Sequence, residues 1–318
     1  PDMRGLIDSI HAHGLKAMLW CAPLWVGPAS EAWKTMEPYC VFDGTARLWR
    51  LCPHCRESRE HANAIVSRLM REYDLDGVKI DFMDHAGACR DAAHDHSEGD
   101  FGEAMDRFMG GMRDAILAEN PDAAIEYRNR YSNTVTLAHA NCHRGNDAPY
   151  DADYIRRENI FLRLFAEWPS AVWSDYAYWH PDEAAENISL MLGQMILSGG
   201  VPTIAVNYAE GNQDACDITR DWLAFYRQHA EFLARAKVTV HSADSSFSST
   251  SLTDLQSGYA YVLLAGTGIP RRLELAEEVR SVFVLNASGE QCGELEFTFG
   301  QSAVAFQVTG RDLQVLHR

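Results

Sequence analysis

Over the first 235 residues, short apolar runs alternate with stretches whose apolar positions recur three or four residues apart. The runs Lys16–Ala22, Gly77–Phe82, Ala123–Tyr127, Leu137–Cys142, Ala171–Ser174 and Val201–Val206 predict strands. Between them, Ser58–Tyr73 carries Ala62, Ile65, Val66 and Leu69 on one helical face, and Phe101–Glu119, Ala152–Glu167, Glu183–Leu197 and Thr219–Ala234 also read as helices. Asn120-Pro121 and Gly199-Gly200 supply stop signals. This alternation is the signature of β-α units built around a parallel sheet. After Arg235 the period falls to two, in Lys237–His241, Tyr259–Leu264, Ser281–Leu285, Glu294–Phe299 and Ala303–Val308, which predicts an antiparallel β domain.

The expected architecture is therefore a (β/α)8 TIM barrel over residues 1–235, followed by a small antiparallel β-sandwich over 236–318. Six predicted strands are two short of a closed barrel, so the first two are expected to precede Pro1. Met3–His13 already reads as an amphipathic helix, which suits the interior of a domain.

Composition narrows the partners. The chain has 318 residues, 47% hydrophobic and 23% charged, and a formal net charge of −17 with no offsetting Lys/Arg cluster. That balance disfavours nucleic acid and anionic membrane surfaces, leaving a neutral or cationic small molecule. No secretory signal or membrane-length apolar run is visible, which favours the cytoplasm. The eight Cys residues follow no disulfide spacing and read as reduced thiols. Cys52-Pro53-His54-Cys55 is a lone C-x-x-C; a second close Cys or His pair would strengthen a zinc reading, and Cys89 with His85, His94 and His96 are the only candidates for one. The expectation is no metal and no cofactor.

The chemistry is expected at the C-terminal ends of the strands. In Asp76-Gly77-Val78-Lys79-Ile80-Asp81-Phe82-Met83-Asp84, alternation along the strand places Lys79 and Asp81 on one side. A cation beside a carboxylate favours the ionised form that a nucleophile needs. Trp20 and Cys21, Glu126 with Arg128 and Arg130, Arg144 with Asp147, and Trp173 with Asp175 end the other strands. Carboxylates recur with aromatics, and no Ser-His or Cys-His arrangement stands out. Two carboxylates flanking a glycosidic bond, with aromatic faces for sugar rings, is the simplest chemistry this set supports.

These residues resemble the melibiase-like α-galactosidases of glycoside hydrolase family 36. Lys79-Ile80-Asp81 matches their Lys-x-Asp nucleophile motif, and Gly14–Pro23 is similar to their third strand, with Trp20 at the sugar-facing Trp. Arg144-Gly145-Asn146-Asp147, the helix through Arg163, and Trp168-Pro169-Ser170-Ala171 follow the order of their acid/base segment. The resemblance spans roughly residues 1–235. It implies a retaining hydrolase of α-linked sugars, α-galactosidase-like, with a carbohydrate substrate, Asp81 as nucleophile and Asp147 as acid/base. Trp20, Lys79, Asp84, Arg128, Arg130, Arg144, Trp173 and Asp175 would line the substrate. Asp175 rivals Asp147, because Trp173-Ser174-Asp175 resembles the same motif locally, but Pro169-Ser170 precedes it. The chain departs from the family at Glu126–Arg130, where a Cys and a Gly-rich loop are expected, at Asp84 in place of Asn, and at Cys21-Ala22 in place of Glu. A metal-assisted barrel hydrolase using the Asp84–His96 loop, or an inactive sugar-binding remnant, are the competing readings.

Overall fold

The computed structural model describes residues 2–128, 134–166, 168–210, 213–241, 249–265, 272–287 and 293–318. It divides into two compact units, residues 1–143 and 144–318.

In the first unit the elements run α1 (Met3–Ala12), β1 (Met18–Cys21), α2 (Trp33–Met36), β2 (Cys40–Asp43), β3 (Leu48–Leu51), α3 (Arg56–Tyr73), β4 (Gly77–Ile80), α4 (Phe101–Glu119), β5 (Ala124–Arg128), α5 (Thr134–His139) and the start of β6 (Cys142–Arg144). The Asp2 carboxylate caps α1 by accepting from Gly5 N at 2.9 Å. Helix α3 buries Ser58, Ala62, Val66 and Met70, and α4 buries Ala104, Phe108, Met112 and Ile116, each a row at spacing four. Both rows pack with Val78, Ile80 and Ile125 of the sheet in one apolar core. Strands β1, β4 and β5 pair in parallel, with Trp20, Lys79 and Glu126 in register. Gly77 is required there, since a Cβ would lie 2.3 Å from Ala124 O. The Asp76 carboxylate accepts from Ala17 N (2.8 Å) and His11 Nε2 (2.9 Å), pinning the start of β1 against that of β4. Strands β2 and β3 form an antiparallel hairpin where the sequence reading placed only a loop.

Leu137–Cys142 is not a strand. The chain is helical to His139 and extended only from Cys142. A short apolar run fits either period, and tertiary contacts decide. Thr136 and His139, three residues apart, are both buried; His139 Nε2 donates to Asp106 (2.7 Å), and its Nδ1 accepts from Arg113 (3.1 Å), both on α4.

The second unit continues through α6 (Ala152–Arg163), β7 (Ala171–Ala177), α7 (Ala185–Leu197), β8 (Val201–Ile204) and α8 (Gln213–Arg235). Buried Arg163 donates to Ala234 O (2.9 Å) and Ala236 O (2.6 Å), satisfying carbonyls at the end of α8. Among the described residues eight strands follow: β9 (Lys237–Val240), β10 (Ser249–Asp254), β11 (Tyr259–Leu264), β12 (Arg272–Leu275), β13 (Ser281–Asn286), β14 (Glu294–Phe299), β15 (Ser302–Gln307) and β16 (Gln314–His317). They form a five-stranded sheet, ordered β16-β13-β11-β10-β9, and a three-stranded sheet, ordered β12-β14-β15.

These sheets are mixed rather than purely antiparallel, because β11 pairs with β13 and β12 with β14 in parallel. The cause is connectivity: from β11 to β14 the chain alternates between sheets, so strands that become neighbours run the same way. Ala260, Val262 and Leu264 of β11 share a core with Leu273, Phe297 and Phe299 from the other sheet. The opposite face of β11, Tyr261 and Leu263, packs with Leu192 and Ile196 of α7 and Trp222 and Phe232 of α8. Contact there is tight, since a Cβ on Gly193 would lie 2.6 Å from Leu285.

Parallel pairing joins β1, β4 and β5 in the first unit, and β7 with β8 in the second. The C-terminal ends of these strands carry the chemistry-bearing residues. No helix among the described residues is long and apolar enough to cross a membrane.

Candidate active site

In the first unit Trp20, Phe82 and Arg128 converge on Asp81. Strand β4 ends at Ile80, Asp81 N still donates to Cys21 O (3.0 Å), and Phe82 then turns the chain with a left-handed φ of 60°. The buried Asp81 carboxylate accepts from Trp20 Nε1 (2.8 Å), Phe82 N (2.7 Å) and Arg128 Nη1 (3.2 and 3.3 Å to its two oxygens). Burial alone would raise its pKa, but the Trp20 and Phe82 hydrogen bonds and the Arg128 guanidinium outweigh it. The carboxyl is thereby held below the usual carboxylate range.

The cation that touches Asp81 is thus Arg128, not Lys79. Lys79 Nζ lies 3.5 Å from Oε1 of buried Glu126, its register partner on β5. Strand alternation gave the side on which Lys79 projects, but cross-strand pairing decides which carboxylate it meets. Asp84 sits exposed in the 3-10 turn Met83–His85, and Arg130 lies outside the described residues.

Aromatic rings line the same strand ends. Trp20 meets Phe82 edge-on (centroids 6.0 Å apart), Phe82 meets Trp25 (6.3 Å), and Trp25 meets His85 (5.1 Å). Although its Nε1 is anchored on Asp81, Trp20 remains 54% exposed, so part of its indole is open to solvent. Phe82 and Trp25 escaped the sequence reading; for Phe82, its position directly after the proposed nucleophile was the available signal. Burial, and secondarily the Asp81 charge, push the Cys21 thiol up to about 12, so it stays protonated and is a poor nucleophile.

In the second unit Arg144 organises two carboxylates. Buried Arg144 donates through Nη1 to Asp175 Oδ1 and through Nη2 to Asp147 Oδ1 (2.8 Å). The other Asp175 oxygen accepts from Ala148 N, next to Asp147 in the chain. Asp175, on β7, is almost fully buried, whereas the Asp147 side chain is 42% exposed. Burial raises the Asp175 pKa; the Ala148 N–H and Arg144 oppose this without cancelling it. Trp173 is half-buried on β7, and Trp179 belongs to the core.

No family model matches the chain. A curated relative, the A type blood α-D-galactosamine galactosaminidase of Flavonifractor plautii, is 27% identical over 137 residues, 38% of this chain and 13% of the relative. Among solved structures, the family 36 α-galactosidase AgaA of Geobacillus stearothermophilus superposes over 98% of this chain and 45% of its own, with a TM-score of 0.66 and 13% identity. The fold is that of family 36 α-galactosidases. The Thermus thermophilus α-galactosidase, solved with p-nitrophenyl α-D-galactopyranoside, matches 79% of this chain and 53% of its own, with a TM-score of 0.55 and 18% identity. The chain spans about half, or less, of the length of these relatives. Within this family 36 fold, one carboxylate is held ionised beside an exposed indole, and another is fixed by a buried arginine.

Proposed function

We propose that the protein is a retaining glycoside hydrolase acting on α-linked galactose-type sugars. The catalytic part is assigned to residues 1–235 and the accessory β domain to 236–318. The observation that carries the reading is the Asp81 carboxylate, held ionised by Trp20, Phe82 and Arg128 beside an exposed aromatic face. Asp81 attacks the anomeric carbon while Asp147 protonates the leaving oxygen; Asp147 then deprotonates the water that releases the sugar. Trp20 stacks on the sugar ring, and Arg128, Lys79, Asp84, Trp173 and Arg130 border the substrate. Asp175 is assigned to positioning, since it holds Arg144 and the backbone beside Asp147. The α-galactoside bound by the Thermus enzyme and the name of the Flavonifractor relative support this substrate class.

The test is turnover of p-nitrophenyl α-galactoside, α-N-acetylgalactosaminide and α-glucoside, with proton NMR of the first-formed sugar. We expect hydrolysis of at least one of the two galactose-configured substrates, with the α-anomer released first. An initial β-anomer would replace retention by inversion, which needs carboxyl groups about 6.5–9.5 Å apart rather than about 5–5.5 Å. Sugar binding without turnover of any substrate would mark a non-catalytic barrel.

The Asp81 environment adds a pH prediction. The nucleophile works ionised, so the acid limb of kcat/KM follows its pKa. Arg128→Gln deletes a group that lowers this pKa, burial then weighs more, and the limb should move to higher pH. A kcat/KM profile from about pH 3 to 7 reads this directly; a limb that stays put would separate Arg128 from Asp81 ionisation.

A further inference from the structure

A second group of chemistry-bearing side chains meets away from the strand-end carboxylates, within the first unit. Cys52 and Cys55 bracket the turn that opens α3, with Cys55 N donating to Cys52 O (3.2 Å), and both are free, buried thiols. His94 and His96 come from residues 86–100, which contain neither helix nor strand. One ligand atom from each of these four residues lies within 4.8 Å of the other three. We infer that Cys52, Cys55, His94 and His96 bind one zinc ion.

The donors suit that metal. Two thiolates and two neutral imidazoles make a tetrahedral N/S shell, in which zinc bonds of about 2.0–2.3 Å give ligand–ligand edges of about 3.3–3.8 Å. Cys52 Sγ and His96 Nε2 are already 3.6 Å apart, and the remaining edges are all within 4.8 Å. Four protein donors leave no open position for water, so this zinc is structural rather than catalytic. Cys89 stands beside the shell, its Sγ 3.4 Å from His94 Nδ1, and serves to orient that ring. The His54 ring lies tilted against that of His96, centroids 5.0 Å apart, and donates through Nδ1 to Glu98 O (2.7 Å), fixing the segment that carries both ligands.

The segment needs such a staple. Residues 86–100 include no Val, Leu, Ile, Met, Phe, Tyr or Trp, so apolar burial offsets little of the entropy of ordering them. Polar anchors hold them, chiefly Glu98 with Arg59 (3.3 Å) and Arg107 (3.1 Å). Zinc would tie the loop that leaves the Asp81 strand to the start of α3.

The test is elemental analysis of protein purified without chelator from zinc-supplemented cultures, expected to give about one zinc per chain. Cys52→Ser and His96→Ala should each lower zinc at least tenfold, while Cys89→Ser should keep it. In case the variants fold poorly, the unmodified protein supplies two further readouts. Mercurial titration of its thiols should release zinc to a chromogenic indicator, and cobalt loading should produce thiolate-to-cobalt charge transfer with intense tetrahedral d–d bands. Wild-type protein that stays zinc-free after dialysis against zinc would overturn the inference. So would a mass deficit of two hydrogens localised to a Cys52–Cys55 disulfide, or zinc retained undiminished in both ligand variants.

Discussion

Asp81→Ala is expected to lower kcat/KM on the reactive α-galactoside by on the order of 10⁴-fold or more, the scale on which a covalent nucleophile is lost. Every group around this carboxylate favours its anion: an indole N–H, a backbone N–H and a guanidinium all donate to it, and their combined effect exceeds the burial penalty. A carboxyl held that way is ready to attack and unsuited to donating a proton, which separates its role from that of a general acid. Azide supplies the decisive control. In the Asp81→Ala protein it can enter from the face the carboxylate occupied, giving the β-galactosyl azide and partial recovery of rate. The variant also frees the Trp20 and Arg128 donors, so its melting temperature must be compared with that of Asp81→Asn, which keeps the shape without the charge. Activity within tenfold of wild type in a folded Asp81→Ala protein would remove Asp81 from the mechanism.

Part of this was legible in the chain and part was not, for identifiable reasons. Short apolar runs set between helical spacings located β1, β4, β5, β7 and β8, aided by long helices with continuous apolar rows, such as Ala104, Phe108, Met112 and Ile116 on α4. The same rule failed at Leu137–Cys142, where the run was short and side-chain bonds from His139 to α4 chose the helix. Asp81 and Arg128 were each visible at a strand end, yet their pairing was not, because contact across strands depends on register. The mixed β domain also eluded local pattern, since parallel neighbours arise from the route the chain takes between sheets. Cys52, Cys55, His94 and His96 were each noticed, but some forty residues separate the two pairs, and only the fold joins them.

The second large effect is expected at the Arg144 pair, where two carboxylates compete for one role. Asp147 is the more accessible and is held by a single guanidinium nitrogen, whereas Asp175 is buried, with its two oxygens engaged by Arg144 and Ala148 N. A group that must hand a proton to substrate and later take one from water needs access to both, which favours Asp147. Asp147→Ala should therefore cost about 10²–10⁴-fold on alkyl galactosides, which need protonation of the leaving oxygen. On 2,4-dinitrophenyl α-galactoside, whose leaving group departs as an anion, the first step should be nearly spared, and azide should speed turnover by intercepting the glycosyl-enzyme as the α-galactosyl azide. Asp175→Asn should behave differently: it loosens Arg144 and the Asp147 backbone together, lowering kcat for good and poor leaving groups alike, without azide rescue. The burial that raises the Asp175 pKa makes the opposite assignment chemically reasonable, so the leaving-group series is the measurement that separates them. If Asp175→Asn alone shows leaving-group dependence and azide rescue, the proton belongs to Asp175, and Asp147 becomes the residue that holds Arg144 in place.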